Sequence, residues 1–127
     1  MNWILDIDEE RFEIVDAEHL RKVIVRQHEE HTERPAIALL TGPDGACLCI
    51  GLGLSQSVLN YIAPGGWPAQ HSVGADVESE CTLTYELAGQ LSEIPARCGI
   101  GIVEAIEAAV PFFTTGELTQ VIQWEPD

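Results

Sequence analysis

Four cysteines and four histidines are the side chains of this 127-residue chain best suited to hold a metal or act as nucleophiles. Cys47-x-Cys49 puts two thiols on one face of an extended segment, and with Cys81 and Cys98 they could in principle form a four-thiolate zinc site. The spacing is wrong for one. Zinc ligands pair with two to four residues between them, whereas one residue separates Cys47 from Cys49 and sixteen separate Cys81 from Cys98. The cysteines read instead as small hydrophobes of the interior. His28-Glu-Glu-His31 sets its imidazoles three apart, where the zinc-protease helix needs four, so it reads as a solvated helix face. His28-x-Glu30 matches the first half of a zinc-deaminase motif, but no Cys-x-x-Cys follows to complete the metal shell. Gly51-Leu-Gly53 lacks the third glycine of a dinucleotide loop, and the only lysine, Lys22, follows no phosphate loop. Ser55 and Ser57 have no evident histidine partner and no strand-turn-helix elbow around them. The sequence therefore assigns no catalytic residue, no metal ligand and no cofactor.

The elements that must position these residues are short. Trp3, Leu5 and Ile7 alternate with wetter neighbours and predict a first strand. Asp16 is a helix N-cap, with Leu20, Val23, Ile24 and Gln27 at helical spacing up to about Glu30. Ala36–Leu40 and Ala46–Leu52 are apolar runs joined by Thr41-Gly-Pro-Asp-Gly45, a hairpin signal. Gln56–Ile62 reads as a third strand of this group. Residues 63–80 are broken by proline and glycine, with at most a brief strand near His71–Val73. Thr82–Leu87 alternates cleanly. Gln90–Ile94 is a short strand or irregular crossing that Pro95 interrupts. A second helix is expected from about Gly101 to Thr114, burying Ile102, Val103, Ile106, Ala109, Val110 and Phe113. Pro111 should bend or tighten it and Gly116 should cap it. Val121–Trp124 closes the chain as a strand. The sum is an α+β domain spanning residues 1–127: a single antiparallel sheet with two main helices packed against it.

Charge narrows the partners. Twenty-one acids against six bases give a formal net charge of −15. Arg11, Arg21, Lys22, Arg26 and Arg34 all precede residue 35, and Arg97 is the only base after it. Such a surface repels nucleic acid and anionic membranes and attracts a basic protein. Asp76, Glu78 and Glu80 share one face if extended, Glu86 continues the acidic region, and no base between 35 and 96 neutralises them. Trp67, between Gly66 and Pro68, is either an aromatic anchor for a partner or a plug for the core. No apolar stretch is long enough to span a membrane. Met1–Asp8 carries acids and no basic segment leading into an apolar run, so the expected compartment is the reducing cytoplasm, with free thiols.

The tail carries the most specific signal. Ile94-Pro95 precedes an alanine-rich helix, followed by Phe112-Phe113-Thr114-Thr115-Gly116-Glu117 and, after a spacer, Trp124-Glu125. This string resembles the C-terminal signature of immunity protein family one of bacterial polymorphic toxin systems. The resemblance implies a protein that catalyses nothing. Such a protein binds a cognate toxin domain, typically a nucleic-acid deaminase, and covers its active-site or substrate surface. It also makes Trp124 a structural anchor of the core or sheet, beside the structural Phe113 and Gly116 that helical spacing and capping already gave. The toxin-facing residues expected from the sequence are Trp67, Asp76, Glu78, Glu80 and Glu86. A small-molecule-binding or enzymatic α+β domain, or a structural subunit, are the alternatives from other classes.

Overall fold

A computed structural model of the chain describes residues 2–75 and 80–127. Two hairpins and a helix start it: β1 (Trp3–Ile7), β2 (Glu10–Ile14), α1 (Ala17–Glu30), β3 (Ala36–Thr41) and β4 (Cys47–Leu52). Then come β5 (Gln56–Ser57), β6 (Leu59–Ile62), β7 (Ala69–Val73), β8 (Thr82–Leu87), β9 (Gln90–Pro95), β10 (Ile100–Gly101), α2 (Ile102–Thr115) and β11 (Gln123–Pro126). Among the described residues, the main sheet runs β11-β7-β6-β4-β3-β1-β2, and the β8–β9 hairpin joins β3 beyond the end of β1. All pairings within it are antiparallel except one parallel contact, Ala36 opposite Glu86. A small ladder pairs β10 with β5. The fold is thus α+β, with both helices on the sheet.

Alternation decides which face is dry. Leu5, Leu40, Leu48, Ile50, Leu52 and Leu59 point to the helices and are buried with Leu20, Ile24 and Phe112. Trp3 and Tyr61 close this layer by packing edge-on against Phe112, with ring centroids 5.1 and 5.8 Å away. α1 starts at Asp16, whose carboxylate accepts from the His19 amide at 2.7 Å and so satisfies one of the orphan amides of the first turn.

α2 corrects the expected burial. Its buried residues are Ala105, Ala108, Ala109 and Phe112, while Val103 is 64% exposed. Ile102, Ile106, Val110 and Phe113 flank the contact, partly buried. The alanines let the helix backbone approach the sheet closely, and Phe112 fills the contact beside them, so the buried face lies about one residue step from the expected one, with Phe112 in place of Phe113. Pro111 stays inside the helix, where its carbonyl accepts from the Thr115 hydroxyl at 2.8 Å. Gly116 ends the helix at φ 78°, and its amide donates to the Phe112 carbonyl at 2.8 Å. A left-handed cap of this kind favours glycine.

Other differences are local. β2 is an additional strand, because a charged edge strand carries little apolar alternation. The Gln56–Ile62 segment divides at Val58, so that Ser57 pairs with Ile100 while Leu59 pairs with Ile50. β9 continues through Pro95 opposite Thr82; an edge strand tolerates proline because its outward amide has no ladder partner. The last strand lies two residues later than expected, leaving Val121 exposed and Ile122 buried.

Candidate functional site

The histidines and one arginine set the first surface. His28 and His31 do not form a solvated face. His28 Nδ1 accepts from the Gly53 amide at 2.9 Å. The His31 ring sits between the Gln27 carbonyl at 2.8 Å and the Asp8 carboxylate at 2.9 Å. Both rings therefore pin the end of α1 to neighbouring turns, a tertiary role that helical spacing does not reveal. Arg34 donates twice to Glu86, at 2.9 and 3.0 Å, so an arginine just outside the base-free stretch neutralises that carboxylate. His31, Arg34 and Glu86 line an open cleft of about 710 Å³, together with Asp8, Glu9, Glu10 and Glu30. Five carboxylates against one arginine and a histidine leave the cleft strongly negative. The Asp6-Ile7-Asp8-Glu9-Glu10 run was its signal in the sequence.

The opposite end of the sheet carries Trp67. It lies in the β6–β7 connection, after the 3-10 turn Pro64–Gly66, and is 73% exposed; it does not plug the core. Glu86 sits at the Ala36 end of β3, whereas the β6–β7 connection leaves from Ile62, which aligns through Cys47 with Thr41 at the other end. Five residue steps of about 3.3 Å thus separate the two levels, and the structure does not bring Trp67 and Glu86 together. Glu80 is exposed. Asp76 and Glu78 lie outside the described residues.

The second sheet face, away from the helices, is the third surface. One half is covered by the β8–β9 hairpin: Ile37, Val58, Tyr85 and Cys98 form a small core there. Tyr85 lies so close to Gly51 that a Cβ there would be 2.6 Å from its ring. Burial pushes the Tyr85 phenol well above its ordinary value, and its hydroxyl donates to the Gln56 carbonyl at 2.9 Å. The other half is open. Two cross-strand rows cross it: Ile4, Thr41, Cys47, Ile62 and Ala69; then Asp6, Leu39, Cys49, Asn60, His71 and Glu125. All are half-buried.

Cys47, Cys49 and Cys98 are free thiols. Only Cys98 is buried; Cys47 and Cys49 are half-buried and Cys81 is exposed. A hydrogen bond from Cys49, aided by one from Thr41, lowers the Cys47 thiol to about 7, while the same bond and burial push Cys49 far up. The thiolate is the nucleophile. Alkylation of Cys47 by iodoacetamide should therefore reach half its maximal rate near pH 7, below the roughly 8.5 of an ordinary thiol. Peptide mass spectrometry across a pH series checks this; a midpoint at the ordinary value would mean that Cys49 does not hold Cys47 as a thiolate.

Trp124 anchors β11 opposite Ser72. Its indole donates to the Thr119 carbonyl at 3.0 Å and its ring packs on the main core, as do Phe113 and Ile122. The helix, its glycine cap and this tryptophan thus form one continuous tail. The family model of Immunity protein Imm1 matches residues 10–126, covering that tail and nearly all that precedes it. The chain belongs to this family. Membership supports the role of an immunity protein, which neutralises a toxin. No curated protein matches the chain. In this Imm1 chain, no cluster of three metal-ligating side chains occurs among the described residues, and no described helix is long and apolar enough to cross a membrane.

Proposed function

We propose that this Imm1 chain is a cytoplasmic, non-enzymatic inhibitor of one cognate secreted toxin domain, and that the domain is basic and of the nucleic-acid deaminase type. The family match over residues 10–126 carries the reading. The charge supports the partner's chemistry. A toxin that processes nucleic acid must present cations around its substrate channel, and a protein of net charge −15 is steered to such a surface. Inhibition needs no chemical step: covering the channel is enough.

Trp67, Asp76, Glu78, Glu80 and Glu86 remain the proposed contact residues, with different weights. Trp67 is an exposed aromatic of the kind that dominates binding energy. Glu86, held by Arg34, presents a neutralised pair and contributes through the acidic cleft around it.

Co-expression with candidate toxin domains encoded beside this chain tests the reading: growth should be restored by the wild-type chain and by no unrelated acidic protein. Failure to restore growth, with both proteins made, would refute it. Reversing Asp76→Lys together with Glu78→Lys should slow association and flatten its salt dependence with little change in dissociation, because charges that steer an encounter act over a Debye length of about 8 Å at physiological salt. Stopped-flow association rates at low and high salt check this, and rates equal to wild type at both would remove these two residues from the interface.

A further inference from the structure

The open half of the sheet is built unlike an ordinary solvated face. An antiparallel sheet with one wet side normally shows polar residues there. Here the centre of the two rows is apolar: Leu39, Cys47, Cys49 and Ile62 are neighbours across three strands, with Leu39 and Cys49 packed against the edge of the small core under the hairpin and Cys47 and Ile62 carrying the apolar surface beyond it. The charges stand at the margins. On one side Asp6 is paired with Arg11 at 2.8 Å, and Glu13 lies beyond Ile4. On the other side Glu125 and Asp127 flank His71 at 3.5 and 2.8 Å, and Arg97 reaches Glu125 at 3.6 Å. Each margin carries two carboxylates against one arginine. An apolar centre inside a polar rim is the anatomy of a protein interface.

The face also has a recess. Val58, Asn60, His71, Ile94, Arg97 and Cys98 line a hollow of about 250 Å³ where the β8–β9 hairpin meets the open rows. It falls below the roughly 300–1,000 Å³ of small-molecule sites and suits a single side chain. The first row spans five strands, or about 19 Å at the usual strand spacing, which a short protein segment can cross. Trp67 lies in the β6–β7 connection, which joins Ile62 and Ala69, the pair that ends the first row. A second copy of this chain is a poor occupant, since it would set like-charged margins against each other.

We propose that this open half-sheet, centred on Cys47, Cys49 and Ile62, is a docking face for a toxin segment whose apolar side chains are flanked by Lys or Arg. The proposal rests on the toxin-binding reading above and names the surface that performs it. An apolar side chain of the segment fills the recess, and its cations meet the carboxylates at the two margins.

The chain carries its own reporters. Cys47 lies on the face, and the exposed Cys81 lies beside the acidic Glu80. The wild-type chain is alkylated with iodoacetamide, alone and saturated with the toxin domain encoded beside it, and each cysteine's rate is read by tandem mass spectrometry. Docking on the face slows Cys47 about tenfold or more, because reactivity follows access. A complex in which Cys47 reacts at its free rate overturns the proposal while leaving the toxin-binding reading intact; slowing at Cys81 alone would then place the contact around Glu80. If the toxin domain does not bind at all, both readings fall. Protection of Cys47 that grows with the chain's own concentration, without toxin, assigns the face to a second copy and also overturns the proposal. In a separate variant, Ile62→Lys should weaken binding by about 30-fold or more with its thermal unfolding still cooperative, and wild-type affinity in that variant would overturn the proposal as well.

Discussion

Replacing Phe112 with alanine should lower the stability of the chain by roughly 3–5 kcal/mol, the range for removing a buried aromatic ring. Phe112 is wholly buried, and Trp3 and Tyr61 both rest edge-on against its ring. Such pairs add about 0.5–1.5 kcal/mol to the value of the buried area. The ring therefore joins the first strand, the sheet centre and α2. Because the total stability of a domain is about 5–15 kcal/mol, the variant should lose a large part of it and unfold roughly 10–20 °C lower. The main-chain bond from Gly116 to the Phe112 carbonyl survives the change, so the loss measures packing and not capping. Phe112→Leu, which retains most of the volume but loses both ring pairs, should cost less than Phe112→Ala, about 1–3 kcal/mol. Calorimetry on the two variants checks this, and equal melting temperatures for Phe112→Ala and wild type would show that the ring does not anchor the layer.

What the sequence made legible was mostly what one segment decides by itself. Asp16 caps α1 through an amide three residues away, and the turn at Gly42–Gly45 follows from its own residues. The alternation of Leu83, Tyr85 and Leu87 likewise needs no partner to be read. The tail string was legible for the same reason, being one uninterrupted run, and the family match covers it. Contacts between distant segments were not legible. Arg34 and Glu86 are 52 residues apart, and only the packing of β8 beside β3 makes them a pair. His31 looked solvated on its helix, but the β1–β2 turn brings Asp8 to it. On α2, periodicity placed the buried face about one residue step away from the observed one, so it included exposed Val103, took Phe113 for Phe112, and overlooked Ala105 and Ala108.

The surfaces follow the same logic. That Cys47 and Cys49 share a face could be read from their spacing. That Leu39 and Ile62 flank them, with carboxylates at both margins, depends on the registers of strands far apart in the chain. The acid surplus was visible as a total, and the structure distributes it: a cleft between the β1–β2 and β8–β9 turns, and two margins of an open sheet. One basic partner could engage either surface, and Trp67, on the sheet-face end and far from Glu86, discriminates between them.

Trp67→Ala should accordingly raise the rate of toxin dissociation with little effect on folding. The side chain is 73% exposed and so contributes little to the core, whereas a rigid aromatic at an interface loses about 2 kcal/mol or more on truncation. That corresponds to roughly a 30-fold weaker complex, and the change should fall mainly on dissociation, as it does for most interface substitutions. Association should stay near wild type, because the acidic residues that steer the encounter are unchanged. A Glu86→Gln variant provides the contrast: it removes a carboxylate already neutralised by Arg34 at the far end of the sheet, and should alter dissociation much less. Binding kinetics of both variants against the neighbouring toxin domain, with thermal unfolding measured alongside, decide the matter. Wild-type dissociation in Trp67→Ala, with slowed association or faster dissociation in Glu86→Gln, would move the interface to the acidic cleft around α1 and away from the open sheet.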